Sequence, residues 1–140
     1  MNLLADLTDL ELAGKRVLLR VDLNVPIENG QVRDDFRIKS FLPSVNKLLA
    51  ARAQVILLSH RGEKGESLEL VADYLQQFFP VLFVKNVNEV PSSVNWPAGT
   101  VILLENLRLD EREKIPPAGG SSDLAQELAK LGDLYINEAF

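Results

Sequence analysis

Five short apolar runs punctuate the chain: Arg16–Val21, Gln54–Leu58, Val81–Val84, Thr100–Leu104 and Asp133–Ile136. They are continuous and rich in aliphatic and β-branched residues instead of alternating with polar ones. That pattern predicts strands covered on both faces. Helical spacing fills the intervals between them. Ile38, Phe41, Leu42, Val45, Leu48 and Leu49 recur at the i, i+3, i+4, i+7 spacing of one apolar stripe. Pro43 interrupts this stripe and predicts a kink, or a helix that properly starts near it. A second helix is predicted after Ser67 as N-cap, with Leu68, Val71, Ala72, Leu75 and Phe78 inward and a stop before Pro80. A third is predicted over 122–131, capped by Ser121 or Ser122 and ended by Gly132.

Strands alternating with helices make the fold class α/β. The expected architecture is a three-layer, doubly wound and mostly parallel sheet of about five strands with flanking helices. At 140 residues the chain is read as one domain, 1–140, with no internal repeat. Pro91–Pro97 and Ile115–Ser122 read as loops from their Pro, Gly and Ser content. The leucines of the first dozen residues are expected to pack against the body.

Composition narrows the function classes. Apolar residues make up 46% and charged residues 25%, an ordinary balance for a globular protein. No run reaches the length of a membrane span, and the amino terminus lacks the basic start of a signal peptide, so no membrane is expected. Cysteine is absent, which excludes disulfides and thiolate metal sites and fits a cytoplasmic protein. The net charge of −5 argues against nucleic acid as a partner but not against an anionic metabolite, which needs only a few local cations. No pair of histidines or carboxylates has metal-ligand spacing, and neither GxxxxGK[ST] nor GxGxxG occurs.

Candidate chemistry collects where the predicted strands end. In a parallel sheet these ends share one edge, beyond which ligands bind. Asp22 and Asn24 follow the first strand, Ser59 and His60 the second, and Glu105 to Arg108 the fourth. Arg37 falls in the first turn of the first helix. A helix start already favours anions, and a guanidinium adds a planar fork that matches phosphate oxygens. Each residue also has a plainer reading: Arg37 paired with Asp34 or Asp35, Arg108 with Asp110 or Glu111, His60 as a structural hydrogen-bonder, and Asp22 and Asn24 as turn formers.

Four segments in this order, Arg20-Val21-Asp22-Leu23-Asn24-Val25-Pro26, Asp34-Asp35-Phe36-Arg37-Ile38, Ser59-His60-Arg61-Gly62 and Glu105-Asn106-Leu107-Arg108, resemble the N-terminal domain of phosphoglycerate kinases. The resemblance runs from about Lys15 to Phe140. It implies the Rossmann-like half of a two-domain glycolytic kinase, a phosphotransferase with a carboxyl acceptor. That enzyme moves a phosphoryl group between 1,3-bisphosphoglycerate and ADP, giving 3-phosphoglycerate and ATP. By position, Asp22 and Asn24 match the residues at the glycerate, His60 and Arg108 those at the substrate phosphate, and Arg37 the catalytic arginine at the reacting carboxyl. Mg-ADP and Mg-ATP are implied for the C-terminal nucleotide domain, not for these residues, and that domain is expected as a partner in cis or in trans.

Two departures qualify the resemblance. The family pattern SHLGRP carries an arginine three places after the histidine, where this chain has Glu63, so Arg61 or Lys64 is expected to substitute if the site is kept. The chain also ends at Asn137-Glu138-Ala139-Phe140, within the family's next motif. An incomplete N-terminal domain, inactive alone, is the leading expectation. A non-catalytic binding or self-associating module is the alternative from a different class.

Overall fold

The computed structural model describes residues 9–59, 66–97, 99–106 and 128–138. In chain order its elements are α1 (Asp9–Leu12), β1 (Arg16–Arg20), β2 (Ile27–Glu28), β3 (Gln31–Val32), α2 (Phe36–Ala50), β4 (Gln54–Leu58), α3 (Glu69–Leu75), β5 (Val81–Val84), β6 (Val101–Leu104) and β7 (Leu134–Asn137). A helical turn, α4, covers 128–131. Single 3-10 turns at Val87–Glu89 and Ser93–Asn95 lie between β5 and β6.

The main sheet has the order β5-β6-β4-β1-β7, and its four neighbouring pairs are all parallel. Each predicted strand is present, within a residue or so at its ends. Alternate residues of the central strands feed two separate cores. Val17 and Leu19 of β1, Val55 and Leu57 of β4, and Val101 and Leu103 of β6 face α2 and α3. Leu18, Ile56, Leu58, Ile102 and Leu104 face the opposite side, where Trp96 and the α4 residues Leu128 and Leu131 cover them. Two covered faces explain why the strands read as unbroken apolar runs.

Helix α2 places Ile38, Phe41, Val45 and Leu48 in the first core and runs uninterrupted through Pro43. A start near Pro43 is therefore ruled out. The proline forfeits one backbone hydrogen bond, a cost of about 3 kcal/mol in a helix interior. Burial of four large apolar side chains, each worth roughly 1.5–3 kcal/mol, outweighs it. Helix α3 ends at Leu75, and turns carry the chain through the buried Phe79 to Pro80. Leu12 of α1 is fully buried, so this part of the amino-terminal segment does pack on the body; residues 1–8 lie outside the described residues, as do the predicted start of the third helix and the 115–122 loop.

The helix α4 ends at Gly132, as the sequence predicts, but not through a left-handed glycine cap. Gly132 is not among the positive-φ residues. A side chain there would place its Cβ 2.6 Å from Leu18 Cγ. The glycine is a close-approach residue, letting the chain enter β7 tight against β1.

One element escapes the apolar pattern. β2 and β3 form an antiparallel hairpin with Glu28 opposite Gln31, closed by Asn29 (φ 52°) and Gly30 (φ 75°). Positive φ at both central residues is the type I′ turn that Asn-Gly favours.

Candidate functional site

The carboxyl ends of β1, β4 and β6 lie along one edge of the sheet, as parallel pairing requires. Beyond β1, the backbone N–H of Val21 donates to the Leu58 carbonyl (3.0 Å), which continues the ladder by one residue. The N–H of Leu23 then donates to Ser59 Oγ (3.0 Å), and the N–H of Asn24 to Asp22 Oδ1 (2.9 Å). Asp22 is thus the head of an Asx turn, as one of its two sequence readings has it.

Arg37 leans onto this turn. Its Nη1 donates to the Asn24 carbonyl at 2.7 Å and lies 3.3 Å from both carboxylate oxygens of Asp22. The alternative reading paired Arg37 with Asp34 or Asp35, and the structure corrects it. Asp34 Oδ1 instead accepts the N–H of Phe36 (3.0 Å) at the start of α2. Asp35 takes a hydrogen bond from the Tyr74 hydroxyl of α3 and an ion pair from Lys39 (3.4 Å). The Tyr74 bond, and after it Lys39, hold the Asp35 carboxyl below its ordinary value, while burial and then that bond push the Tyr74 hydroxyl up to about 12. With both neighbouring acids engaged elsewhere, Arg37 is turned toward the β1 loop.

An open cleft of about 600 Å³ lies here. Residues 24–28 form one wall, Asp34, Phe36 and Arg37 a second, and Glu66 a third. The guanidinium is half exposed, and Phe36 is 75% exposed beside it. Glu28, Asp34 and Glu66 make this lining acidic apart from Arg37, although Glu28 also pairs with Arg33 across the hairpin (3.5 Å).

The Glu105-Asn106 pair has a structural task at the entrance to α3. Glu105 Oε1 accepts the N–H groups of Leu68 and Asn106, both at 2.8 Å, and Oε2 accepts the Ser67 hydroxyl at 2.8 Å. Asn106 Nδ2 donates to the Glu66 carbonyl. These side chains bind protein backbone at the entrance to α3. Ser67 Oγ also accepts the N–H of Glu69 (3.1 Å), but the N-cap is Leu68 and not the expected Ser67, because the Leu68 carbonyl accepts the first helical N–H, that of Ala72 (2.9 Å).

The structure therefore brings together Asp22, Asn24 and Arg37. His60, Arg61 and Arg108, together with Glu63 and Lys64, lie outside the described residues. Sequence reasoning missed the acidic lining, the hairpin wall and the Tyr74–Asp35 tie; of these, only the hairpin carried a local signal, its Asn-Gly pair. Among the described residues, no group of three or more His, Cys, Asp or Glu comes together to hold a metal ion, and no helix is long and apolar enough to cross a membrane.

Comparison with known proteins gives a consistent result. The family model described as phosphoglycerate kinase matches residues 7–140. A phosphoglycerate kinase of Legionella pneumophila (strain Corby) is 41% identical over 149 aligned positions, spanning 100% of this chain and 36% of its own length. One from Herpetosiphon aurantiacus is 41% identical over 94% of this chain and 36% of its own. Among solved structures, the phosphoglycerate kinase from Coxiella burnetii superposes with a TM-score of 0.75 at 33% identity, covering 96% of this chain and 34% of that one. The chain spans about a third of the length of the curated relatives it matches.

Proposed function

The chain belongs to the phosphoglycerate kinase family, and on that premise we propose that its cleft is the acid-substrate side of a phosphoryl-transfer site, taking 3-phosphoglycerate or 1,3-bisphosphoglycerate. The observation that carries this reading is the placement of Arg37. Its Nη1 is held between the Asp22 carboxylate and the Asn24 carbonyl at the mouth of a cleft on the carboxyl edge of a parallel sheet. The resemblance gives Asp22 and Asn24 the glycerate group, Arg37 the reacting carboxyl, and His60 and Arg108 the distal phosphate, with Arg61 or Lys64 standing in for the family arginine replaced by Glu63.

The reaction asks little of general acid–base chemistry. The acceptor is a carboxylate, ionised at neutral pH because such groups titrate near about 3–4. No base has to deprotonate it. What the protein supplies is position and positive charge on the transferring phosphoryl oxygens, and a preorganised guanidinium gives both. The Asp22–Arg37 pair keeps the fork oriented before substrate arrives, so little reorganisation remains for the binding step.

The sequence has no GxxxxGK[ST] or GxGxxG phosphate loop with which to hold Mg-ADP or Mg-ATP. Nucleotide binding is assigned to a C-terminal domain of the family, in cis or in trans. Turnover by residues 1–140 on their own is not expected. The setting proposed for the protein is cytoplasmic glycolysis.

A second reading, a non-catalytic binding module, draws on the three carboxylates that share the cleft with Arg37. One experiment separates the two. The 140-residue chain is titrated with 3-phosphoglycerate and, in a separate assay supplied with 1,3-bisphosphoglycerate and Mg-ADP, tested for ATP formation with a separately produced nucleotide domain of a relative. Saturable binding lost in Arg37→Ala, with activity only in the mixture, supports the kinase half-site. Absence of both favours the module.

A further inference from the structure

Ser59 and Asn106 are the buried polar side chains among the described residues, 1% and 2% exposed. Ser59 directly follows Leu58, the last residue of β4, and Asn106 stands two residues beyond Leu104, the last residue of β6. Burying a polar group weakens a fold unless it is hydrogen-bonded. What distinguishes these two side chains is what they hold.

Ser59 Oγ accepts the N–H of Leu23, 36 positions away in sequence, and so ties the β1 loop to β4. Asn106 Nδ2 donates to the Glu66 carbonyl, while the Glu105 carboxylate beside it takes the N–H of Leu68 and the hydroxyl of Ser67. These backbone groups belong to loops and a helix start, where no ladder partner is at hand. The β1 loop and Glu66 form two of the three walls of the Arg37 cleft. Both walls are therefore referenced to the rigid sheet through buried polar side chains that do not line the cleft themselves.

We infer that Ser59, Glu105 and Asn106 are positioning residues, a frame that presets the walls of the cleft around Arg37; the inference rests on the acid-substrate reading of that cleft. Sites built on rigid elements with locked supporting groups bind without reordering, and loosening the support costs affinity without removing any ligand contact.

The test compares Ser59→Ala and Asn106→Asp with Val101→Ala, a buried change at the opposite end of β6. Asn106→Asp preserves volume but sets a carboxylate oxygen against the Glu66 carbonyl. Dissociation constants for 3-phosphoglycerate are measured by calorimetry at a temperature where every variant is fully folded. The frame predicts affinity weakened roughly tenfold in Asn106→Asp and a few-fold in Ser59→Ala. Val101→Ala should stay within about twofold at equal or greater loss of Tm. Affinity losses that merely follow Tm across all three variants overturn the inference.

A wild-type chain that does not bind 3-phosphoglycerate refutes the substrate reading separately. Amide hydrogen exchange on the ligand-free protein then decides the frame. Faster exchange confined to Glu66–Leu68 in Asn106→Asp and to Leu23–Val25 in Ser59→Ala upholds it. Uniform acceleration throughout the sheet refutes it.

Discussion

Arg37 Nη1 stands 3.3 Å from the Asp22 carboxylate, bridging the first turn of α2 and the loop that leaves β1. Both side chains are substantially exposed, at 51% and 38%, so the pair adds well under about 1 kcal/mol to stability. Its consequence is orientation. Asp22→Asn should leave the thermal transition nearly unchanged and weaken 3-phosphoglycerate binding roughly tenfold. Arg37→Lys keeps the charge but loses the planar fork, and should do the same. Calorimetric titration beside a melting curve checks both; a large drop in Tm with unchanged affinity would contradict this assignment.

Tyr74 and Asp35 tie α3 to the start of α2, and their titrations give the tie a pH signature. The Asp35 carboxyl titrates below its ordinary 3.8, chiefly because of the Tyr74 hydrogen bond, so its contribution is complete above 3.8 and fades as pH falls through the lowered value. The Tyr74 hydroxyl is raised, so its contribution is complete below its ordinary 10.0 and is lost as pH climbs toward about 12. Tyr74→Phe should therefore lower Tm most on the plateau between those limits. The difference from wild type should shrink at both extremes. Melting curves across the pH range provide the check.

Gly30 sits at φ 75° with nothing within 4 Å of where a Cβ would stand. Its cost of replacement is conformational alone. Gly30→Ala should destabilise the protein by about 1–2 kcal/mol, seen in urea unfolding, while Asn29→Gly should be tolerated.

Gly132 presents the opposite case, ordinary φ but no room. Gly132→Ala drives a Cβ against the buried Leu18 and should cost about 1–3 kcal/mol by overpacking. In the double variant with Leu18→Ala, the two changes should be markedly less than additive, because the second removes the side chain that the first meets.

The sheet was legible because β1, β4 and β6 are covered on both faces, which leaves an apolar run that no polar residue interrupts. Helix α2 was legible from its stripe, although Pro43 suggested a break that the burial of Phe41 and Val45 overrides. The hairpin was harder. Strands of two residues, Ile27–Glu28 and Gln31–Val32, are too short for any period to register, and only the Asn-Gly turn marks them. At the site, residue types on the strand ends pointed to Asp22, Asn24 and Arg37 as a group. Which acid Arg37 meets was not readable: Asp34 and Asp35 are nearest in sequence, yet the packing of α2 on the sheet delivers Asp22, 15 positions away. The acids nearest in sequence are taken by a helix-start N–H and by Tyr74. Glu105 and Asn106 fell within a segment of candidate chemistry, and motif spacing does not reveal whether a carboxylate faces a substrate or a backbone amide.

The central claim is that the Arg37 cleft recognises a phosphorylated glycerate, and a two-dimensional amide NMR titration tests it most directly. The chain is titrated with 3-phosphoglycerate, and in parallel with inorganic phosphate. Saturable shifts clustered at Asp22–Asn24, Arg37, His60 and Arg108, and absent or much weaker with phosphate, are the predicted result. A well-dispersed spectrum that does not respond, or responds equally to phosphate, would contradict it.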